Sequence, residues 1–474
     1  MKICIYVRAI MKVYPFFYRN LKEKYGENLQ MVFVAQSARE GEDVRHRISD
    51  DAELVVVEDY FKAHWAEFTL EKLSEYEQKY CDKPVWNMIY QDRFLVEQPW
   101  EYAVKITCGY FQMYDELFSK YHFDYYVDET IAILASYVGY TVAKGCGADY
   151  CAQMLAKGFD TVAHYYLRDP MQYNCNFDEN YMQITYPKEI VDKAVDYIRR
   201  MKETYVKPGF MVSSGVLPKW RMGFFKIPFL YLKEKHNPAF NNPYEYTDYM
   251  RYKTAFNGLK FYLRYQSYKK YYCQPDYSDK YVLFPLHFQP EATTLVCAEK
   301  YEKQLFFIDQ IAKSLPADTK LYVKEHYAVL GHRDPDFYKK LQSYPNVVII
   351  NPLVQSKDLI VHADTVITLT GTAGWEALLL GKRVIVCGQV FYDNAPGAIR
   401  TDDIYLNYMK LLKKWSPPKE GEMIQYLCEH IRSLSDGCQC ATNAGYDTKE
   451  NLNKLGISLV KEIARREERK RIGK

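Results

Sequence analysis

A chain of 474 residues is too long for one ordinary domain and comfortable for two, each able to bury its own core. With 63 Lys and Arg against 60 Asp and Glu, the formal charge of +3 provides no global field for nucleic acid or an acidic polymer, so an anionic partner must be met by a local patch. The apolar run Ile3 to Val7 is too short for a signal-peptide core, and no stretch approaches the about 18 apolar residues of a membrane span, so a cytoplasmic protein is expected.

The first half alternates strand and helix. Strands are predicted over 2–7, 31–35 and 54–58, with helices over 16–25 and 67–81. A long helix over 101–120, a strand at 125–127, a helix over 131–137 and a strand at 140–143 continue the pattern, which points to a doubly wound sheet. Ligands of such sheets lie beyond the carboxyl ends of the strands, where Asp128 and Glu129 follow DYYV. Two carboxylates there suit a general base for an acceptor hydroxyl. Equally, Asp128-Glu129-Thr130 before an apolar helix is a good capping sequence. The polar cluster Tyr90 to Arg93 reads as an ordinary loop salt bridge.

After a helical pattern over 187–202, residues 219–272 interleave aromatics with eleven Lys and Arg against only Glu234, Glu245 and Asp248. The plainer reading is a connector with packed aromatics and solvated lysines. A second reading is a surface for an anionic membrane or for a lipid-linked or polyanionic acceptor. No nucleic-acid motif accompanies the bases, so nucleic acid is not expected as a partner.

A second α/β region opens at Lys280 with YVLFPLHF and continues as helix 304–314, strand 320–323, helix 336–342 and strand 347–350. Strand 365–369, helix 373–380 and strand 382–387 follow. Three strand ends carry chemistry. Lys324 and His326, two apart on an extended chain, suit a phosphate clamp. In the Gln289-Pro290-Glu291 loop a carboxylate is placed to act on a reacting carbon as nucleophile or electrostatic stabiliser. At Thr370-Gly371-Thr372 a strand gives way to a helix, so backbone N–H groups and the helix dipole converge on a point that suits a phosphate. Glu376 follows in what reads as the first turn. Singly, each has a plain alternative: a Thr N-cap with a glycine, a Glu complementing the dipole, an exposed polar strand end. Three such strand ends in one sheet together mark a ligand edge. His332 and His362 read as surface histidines.

Twelve cysteines lack any CxxC pair, and several, such as Cys4 and Cys387, fall inside strands as small hydrophobes. Free thiols are expected. Cys438 and Cys440, the one close pair, have no second Cys or His cluster nearby, so no structural zinc is expected. Tyrosine is abundant at 46 residues, enough for sugar-stacking surfaces but not diagnostic of them. A last helix from about Thr448 carries the apolar stripe Leu452, Leu455, Leu459 and Ile463.

In order along the chain, FPLHFQPEATT, LYVKEH and TGTAGWEALLLGKRVIVCGQVFY resemble the capsule polysaccharide biosynthesis family of GT-B glycosyltransferases, which includes CMP-Kdo-dependent transferases. The resemblance implies an α/β GT-B fold of two Rossmann-like domains facing a cleft, with a helical, aromatic-basic connector and C-terminal helices. The expected boundaries are 1–210 for the acceptor-side domain, 211–278 for the connector, 279–415 for the nucleotide-sugar domain and 416–474 for the helices. It implies that Gln289, Lys324, His326, Thr370, Gly371, Thr372 and Glu376 bind a nucleotide-sugar, the turn holding its phosphate and Glu376 its ribose. Glu291 is the expected catalytic carboxylate, with Asp128 or Glu129 as first-domain candidates that rest on position alone. No cofactor or metal is expected. The partners are a nucleotide-sugar and a saccharide or lipid-linked acceptor, with peripheral contact at the inner face of the cytoplasmic membrane as the second reading of the basic stretch. Tyr327 stands where the family has proline and Thr293 where some Kdo transferases have aspartate, which leaves the donor sugar open. Two other enzymes share parts of these motifs, a CDP-alcohol phosphotransferase of teichoic-acid type and a sugar-nucleotide epimerase; a third alternative is a noncatalytic scaffold that keeps only the fold and recruits polysaccharide-export machinery through residues 219–272.

Overall fold

β-Branched and aromatic runs form the strands of two sheets in the computed structural model, which describes residues 1–8, 11–48, 52–156, 163–203, 217–235, 237, 242–246, 251–438 and 446–473. The chain divides into two units. The first comprises Met1–Asn176, Pro243–Thr247 and Ser433–Lys474, and the second Phe177–Asn242 and Asp248–Arg432.

The first unit holds β1 (Lys2–Tyr6), β2 (Gln30–Ala35), β3 (Glu53–Val56), β4 (Tyr125–Asp128), β5 (Asp149–Leu155) and β6 (Ala163–Leu167). Their spatial order is β6-β5-β4-β1-β2-β3. β1 to β5 run parallel, β6 is antiparallel to β5, and the short strand Ser435–Asp436 pairs antiparallel with β6. The predicted stripe of the last helix, Lys449–Ile472, is buried in the same core cluster as Ile3, Ile5 and Val127. It packs on the helix Tyr14–Tyr25, and a Cβ added at Gly456 would stand 2.9 Å from the Phe16 carbonyl oxygen.

One predicted strand is absent. Residues 140–143 lie inside the helix Leu134–Gly145, although Val138, Thr141 and Val142 favour a strand locally. Packing decides: Val138 and Val142 are fully buried, the Thr141 hydroxyl bonds back to the Tyr137 carbonyl at 2.8 Å, and Gly139 lets the helix lie directly on Tyr126.

The second unit holds β7 (Tyr281–Pro285), β8 (Lys320–Lys324), β9 (Val347–Ile350), β10 (Thr365–Thr368), β11 (Arg383–Val386) and β12 (Ala398–Arg400). All six are parallel, in the order β12-β11-β10-β7-β8-β9. This is a doubly wound order, and its strand order reverses between β7 and β10 as that of the first sheet does between β1 and β4. Each unit is therefore Rossmann-like, the composition of a GT-B fold. The predicted strands and helices from 304 to 387 fall within a residue or so of the observed ones.

Gly331, in the loop after β8, has φ +89°, and a Cβ there would lie 2.1 Å from the Phe261 carbonyl oxygen. Gly331→Ala combines left-handed backbone strain with a clash against main chain. It is expected to cost the second unit about 2–4 kcal/mol, seen as a lower denaturation midpoint. An unchanged midpoint would show that the helix Arg251–Tyr268 yields freely at this contact.

Candidate functional site

In the second unit β7, β8 and β10 end at a common edge, because Pro285 pairs with Lys324 and Thr365 with Val282. His287, two residues past β7, fills the point where the strand order reverses. Its Nε2 lies 3.1 Å from the Thr370 backbone nitrogen and 3.2 Å from Thr368 Oγ1. Thr368 Oγ1 accepts the Gly371 N–H at 3.0 Å, which leaves its own hydrogen for His287. A ring nitrogen that accepts two hydrogen bonds carries no proton, so the proton sits on Nδ1, which is buried with no partner among the described residues. Burial, with His326 and Arg333 adding to it, holds this imidazole neutral by pushing its pKa down to about 3. A Cβ at Gly371 would stand 3.0 Å from Nε2 and crowd the imidazole, so a larger residue here would displace the ring by a few tenths of an ångström.

These contacts change the expectation for the turn. The Thr370 and Gly371 N–H groups, expected to face an anion, are taken by His287 and Thr368, and the buried Thr370 hydroxyl bonds to the Thr293 carbonyl at 3.3 Å. What remains for an anion is the head of the helix Thr372–Leu379, where Thr372 and Ala373 have no intrahelical acceptor for their N–H groups. Glu376 falls in the second turn of this helix rather than the first, so complementing the dipole does not account for it.

Glu376 and Lys324 form the electrostatic centre. Lys324 is buried, with Nζ 3.2 Å from the Pro352 carbonyl oxygen, and burial pushes its ammonium down to about 8 against the opposing pull of Glu325 and Glu376. Burial raises the Glu376 carboxyl to about 7, with Lys324 and Lys357 pulling it back. His326 is driven down to about 4 by burial and by the Lys324 and Arg333 charges, so it is a neutral donor rather than a cation. Its Nδ1 accepts the Ala328 N–H at 3.3 Å, which places the ring proton on Nε2.

Between these two residues, Glu325 turns fully inward. It accepts Tyr338 Oη at 2.5 Å, Arg333 Nε at 2.9 Å and the His326 N–H at 2.7 Å. Arg333 then reaches the His287 carbonyl at 2.6 Å and Gln289 Oε1 at 3.5 Å, tying the exits of β7 and β8 together. The other end of the Gln289 amide bonds to the Glu302 carbonyl. Glu291 is half-buried at the start of the short helix Ala292–Leu295, where its carbonyl accepts the Thr294 N–H and hydroxyl.

Asp128 and Glu129 lie in the first unit, at the end of β4. Asp128 is buried, with Oδ1 accepting the Glu129 N–H at 2.6 Å and lying 3.6 Å from Arg8 Nη1, while Oδ2 has no partner among the described residues. Burial raises this carboxyl to about 6, with Arg8 opposing. The capping alternative fails for Asp128, because the N–H of Leu134 goes to Asp92 Oδ2 at 2.6 Å. Asp92 also accepts Phe94 and Leu95 N–H groups and the Tyr246 hydroxyl, so it is a saturated structural carboxylate and not one half of a loop salt bridge. At the end of β2, Gln36 Oε1 accepts the Tyr6 and Tyr110 hydroxyls at 2.9 and 2.6 Å, which leaves Nε2 buried without a partner among the described residues.

Sequence reasoning missed His287, Arg333, Arg8 and Gln36. His287 stood inside a motif already singled out; the others carry no local signal. His332, taken for a surface residue, stacks on Phe261 at 3.8 Å and is half-buried, whereas His362 is exposed as expected. The described cysteines are free thiols, and Cys440 lies outside the described residues. Among the described residues no helix is long and apolar enough to cross a membrane.

Residues 219–431 match the family model described as capsule polysaccharide biosynthesis protein. Protein FixF of Sinorhizobium fredii is 37% identical over 103 residues, which cover 21% of this chain and 23% of that protein's length. Among solved structures, a Thermosulfurimonas dismutans β-Kdo 2,7 transferase, KpsC, aligns over 73% of this chain and 88% of its own at 13% identity, with a TM-score of 0.32. UDP-GlcNAc 2-epimerase from Methanocaldococcus jannaschii aligns over 91% and 99% at 14% identity, with a TM-score of 0.25. Superpositions this loose carry no functional argument.

Proposed function

We propose, from the match of residues 219–431 to the capsule polysaccharide biosynthesis family model, that the chain is a glycosyltransferase that moves a sugar from a nucleotide donor to a bacterial surface polysaccharide or glycolipid. The observation that carries this reading is the buried Lys324 at the end of β8, held with neutral His326 and with Glu376 of the helix Thr372–Leu379. Burying an ammonium is costly even with Glu325 and Glu376 opposing, as its depressed pKa records, and an anionic ligand there repays part of that cost.

In the proposed roles, Lys324 supplies the positive charge for the leaving phosphate and His326 donates from Nε2. Thr372, at the head of the helix, adds its hydroxyl and N–H. Glu376 accepts from the ribose hydroxyls. Thr370, Gly371 and Gln289 act by shaping the turn and loop, since their groups are engaged within the protein. As the acceptor oxygen bonds to the anomeric carbon, the bond from that carbon to the phosphate oxygen breaks and its electron pair leaves with the phosphate. The acceptor proton passes to a carboxylate: Glu291 from the second unit, or Asp128 or Glu129 from the first. A pKa of about 6 keeps Asp128 ionised at neutral pH yet basic enough for this task.

Thermal unfolding with CMP, CDP, UDP and GDP tests the reading. A nucleotide at 100 times its dissociation constant stabilises by about 2.7 kcal/mol, a shift of a few degrees. That shift is expected for one nucleotide and is expected to vanish in His326→Ala, whose own unfolding should stay near wild type. An intact shift in His326→Ala removes the role given to this residue, and no shift with any nucleotide removes the donor site. A CMP-selective response would support a Kdo-like donor.

A further inference from the structure

The three-ten turn Met222–Lys226 runs directly into the helix Ile227–Lys235, and together they are built inside out. Met222, Phe225, Phe229 and Leu232 follow one another at spacings of three, four and three, which places them on one helical face. That face points to solvent: the four side chains are between 64% and 74% exposed. The opposite face packs on the helix Arg251–Tyr268 and buries a charge, with the Glu234 carboxylate accepting the Tyr252 N–H at 3.0 Å and the Tyr231 ring set edge-on to Tyr252 at 5.1 Å. Arg251–Tyr268 repeats the pattern outward with Phe256 and Leu263, more than half exposed, either side of exposed Lys260. A helix that met only water would bury its apolar stripe and expose its carboxylate.

The charges identify what covers this face. Lys219, Arg221, Lys226, Lys233 and Lys235 are exposed around the first stripe, and the one acid within 219–235 is the buried Glu234. A second copy of the chain docked here on the same face would set these bases against their own kind. An anionic surface with an apolar interior satisfies both features.

We propose that this face seats in the headgroup layer of an anionic phospholipid membrane, with the aromatic and aliphatic stripe at the acyl boundary and the lysines on lipid phosphates. Seating of this kind would hold the enzyme at the surface that presents lipid-linked acceptors, and it is independent of the chemistry assigned to the transfer site.

Co-sedimentation of the full chain with phosphatidylcholine vesicles, with and without phosphatidylglycerol, tests this. Binding is expected to be about tenfold or more tighter to the phosphatidylglycerol vesicles and to weaken with added salt. Phe225→Ser with Phe229→Ser, and separately Lys226→Glu with Lys233→Glu, should each reduce it by about tenfold or more, with circular dichroism and sedimentation coefficient unchanged. All four residues are exposed, so the fold should tolerate these changes. Equal binding to both vesicle types, no binding to either, or a dimer in solution that the same substitutions dissolve would each overturn the proposal.

Discussion

Glu325→Leu is expected to destabilise the second unit by about 3–5 kcal/mol, measured from denaturant midpoints. The carboxylate is fully buried and takes three donors: the Arg333 guanidinium, the Tyr338 hydroxyl and the His326 N–H. Leucine leaves the guanidinium, itself only 11% exposed, without its counter-charge. Desolvated and unpaired, that cation sets the size of the loss. A double variant, Glu325→Leu with Arg333→Met, should recover part of it, since removing both charges costs far less than orphaning one. If Glu325→Leu unfolded within about 1 kcal/mol of wild type, the ion pair would not be the clamp that ties the exits of β7 and β8 together.

The same pair explains why the site was only partly legible in the sequence. Lys324, His326 and the Thr370 to Thr372 turn announce themselves locally, as polar residues where an apolar run stops and the chain must turn. Arg333 cannot be recognised this way. It lies in a loop eight residues beyond Glu325 and acquires its role only when that loop folds back to the His287 carbonyl. Which donors of the turn stay available also depends on distance in space: His287 and Thr370 are 83 residues apart, and that contact uses an N–H which local reasoning assigned to a phosphate. Parallel strands with nearly unbroken apolar runs, such as β8 and β9, were placed well because burial on both faces leaves a signature in composition. Residues 140–143 were misread for the converse reason. Their β-branched character is a weak local preference, and a helix seated on Tyr126 through Gly139 overrode it.

The two sheets share a logic that neither half of the sequence reveals alone. Where each strand order reverses, the fold buries a polar side chain: His287 in the second unit and Asp128 in the first. Taking such a group out of water costs stability, and burial has moved the pKa of both, down for His287 and up for Asp128.

Lys324→Met is expected to weaken nucleotide binding and to lower the transfer rate by about 10²–10³-fold, the scale of losing a preorganised charge at a developing phosphate. The protein should not unfold more easily. The folded pKa of Lys324 lies near 8, below the ordinary 10.5, so the fold penalises the charged form. That penalty is fully present below about pH 8 and fades as pH rises toward the unfolded value, so at neutral pH methionine relieves it. Stability that is equal or higher, combined with lost binding, separates a binding role from a structural one. Binding in the wild type should follow the ammonium: strong below about pH 8 and falling as pH rises through it, because binding must then take up a proton from solvent at Lys324. Glu376 raises the Lys324 pKa, so Glu376→Gln should move that fall to lower pH. The midpoint shift distinguishes this from simple loss of a ribose contact, which would weaken binding equally at every pH. A wild-type affinity flat from pH 6.5 to about 9 would place the phosphate away from Lys324.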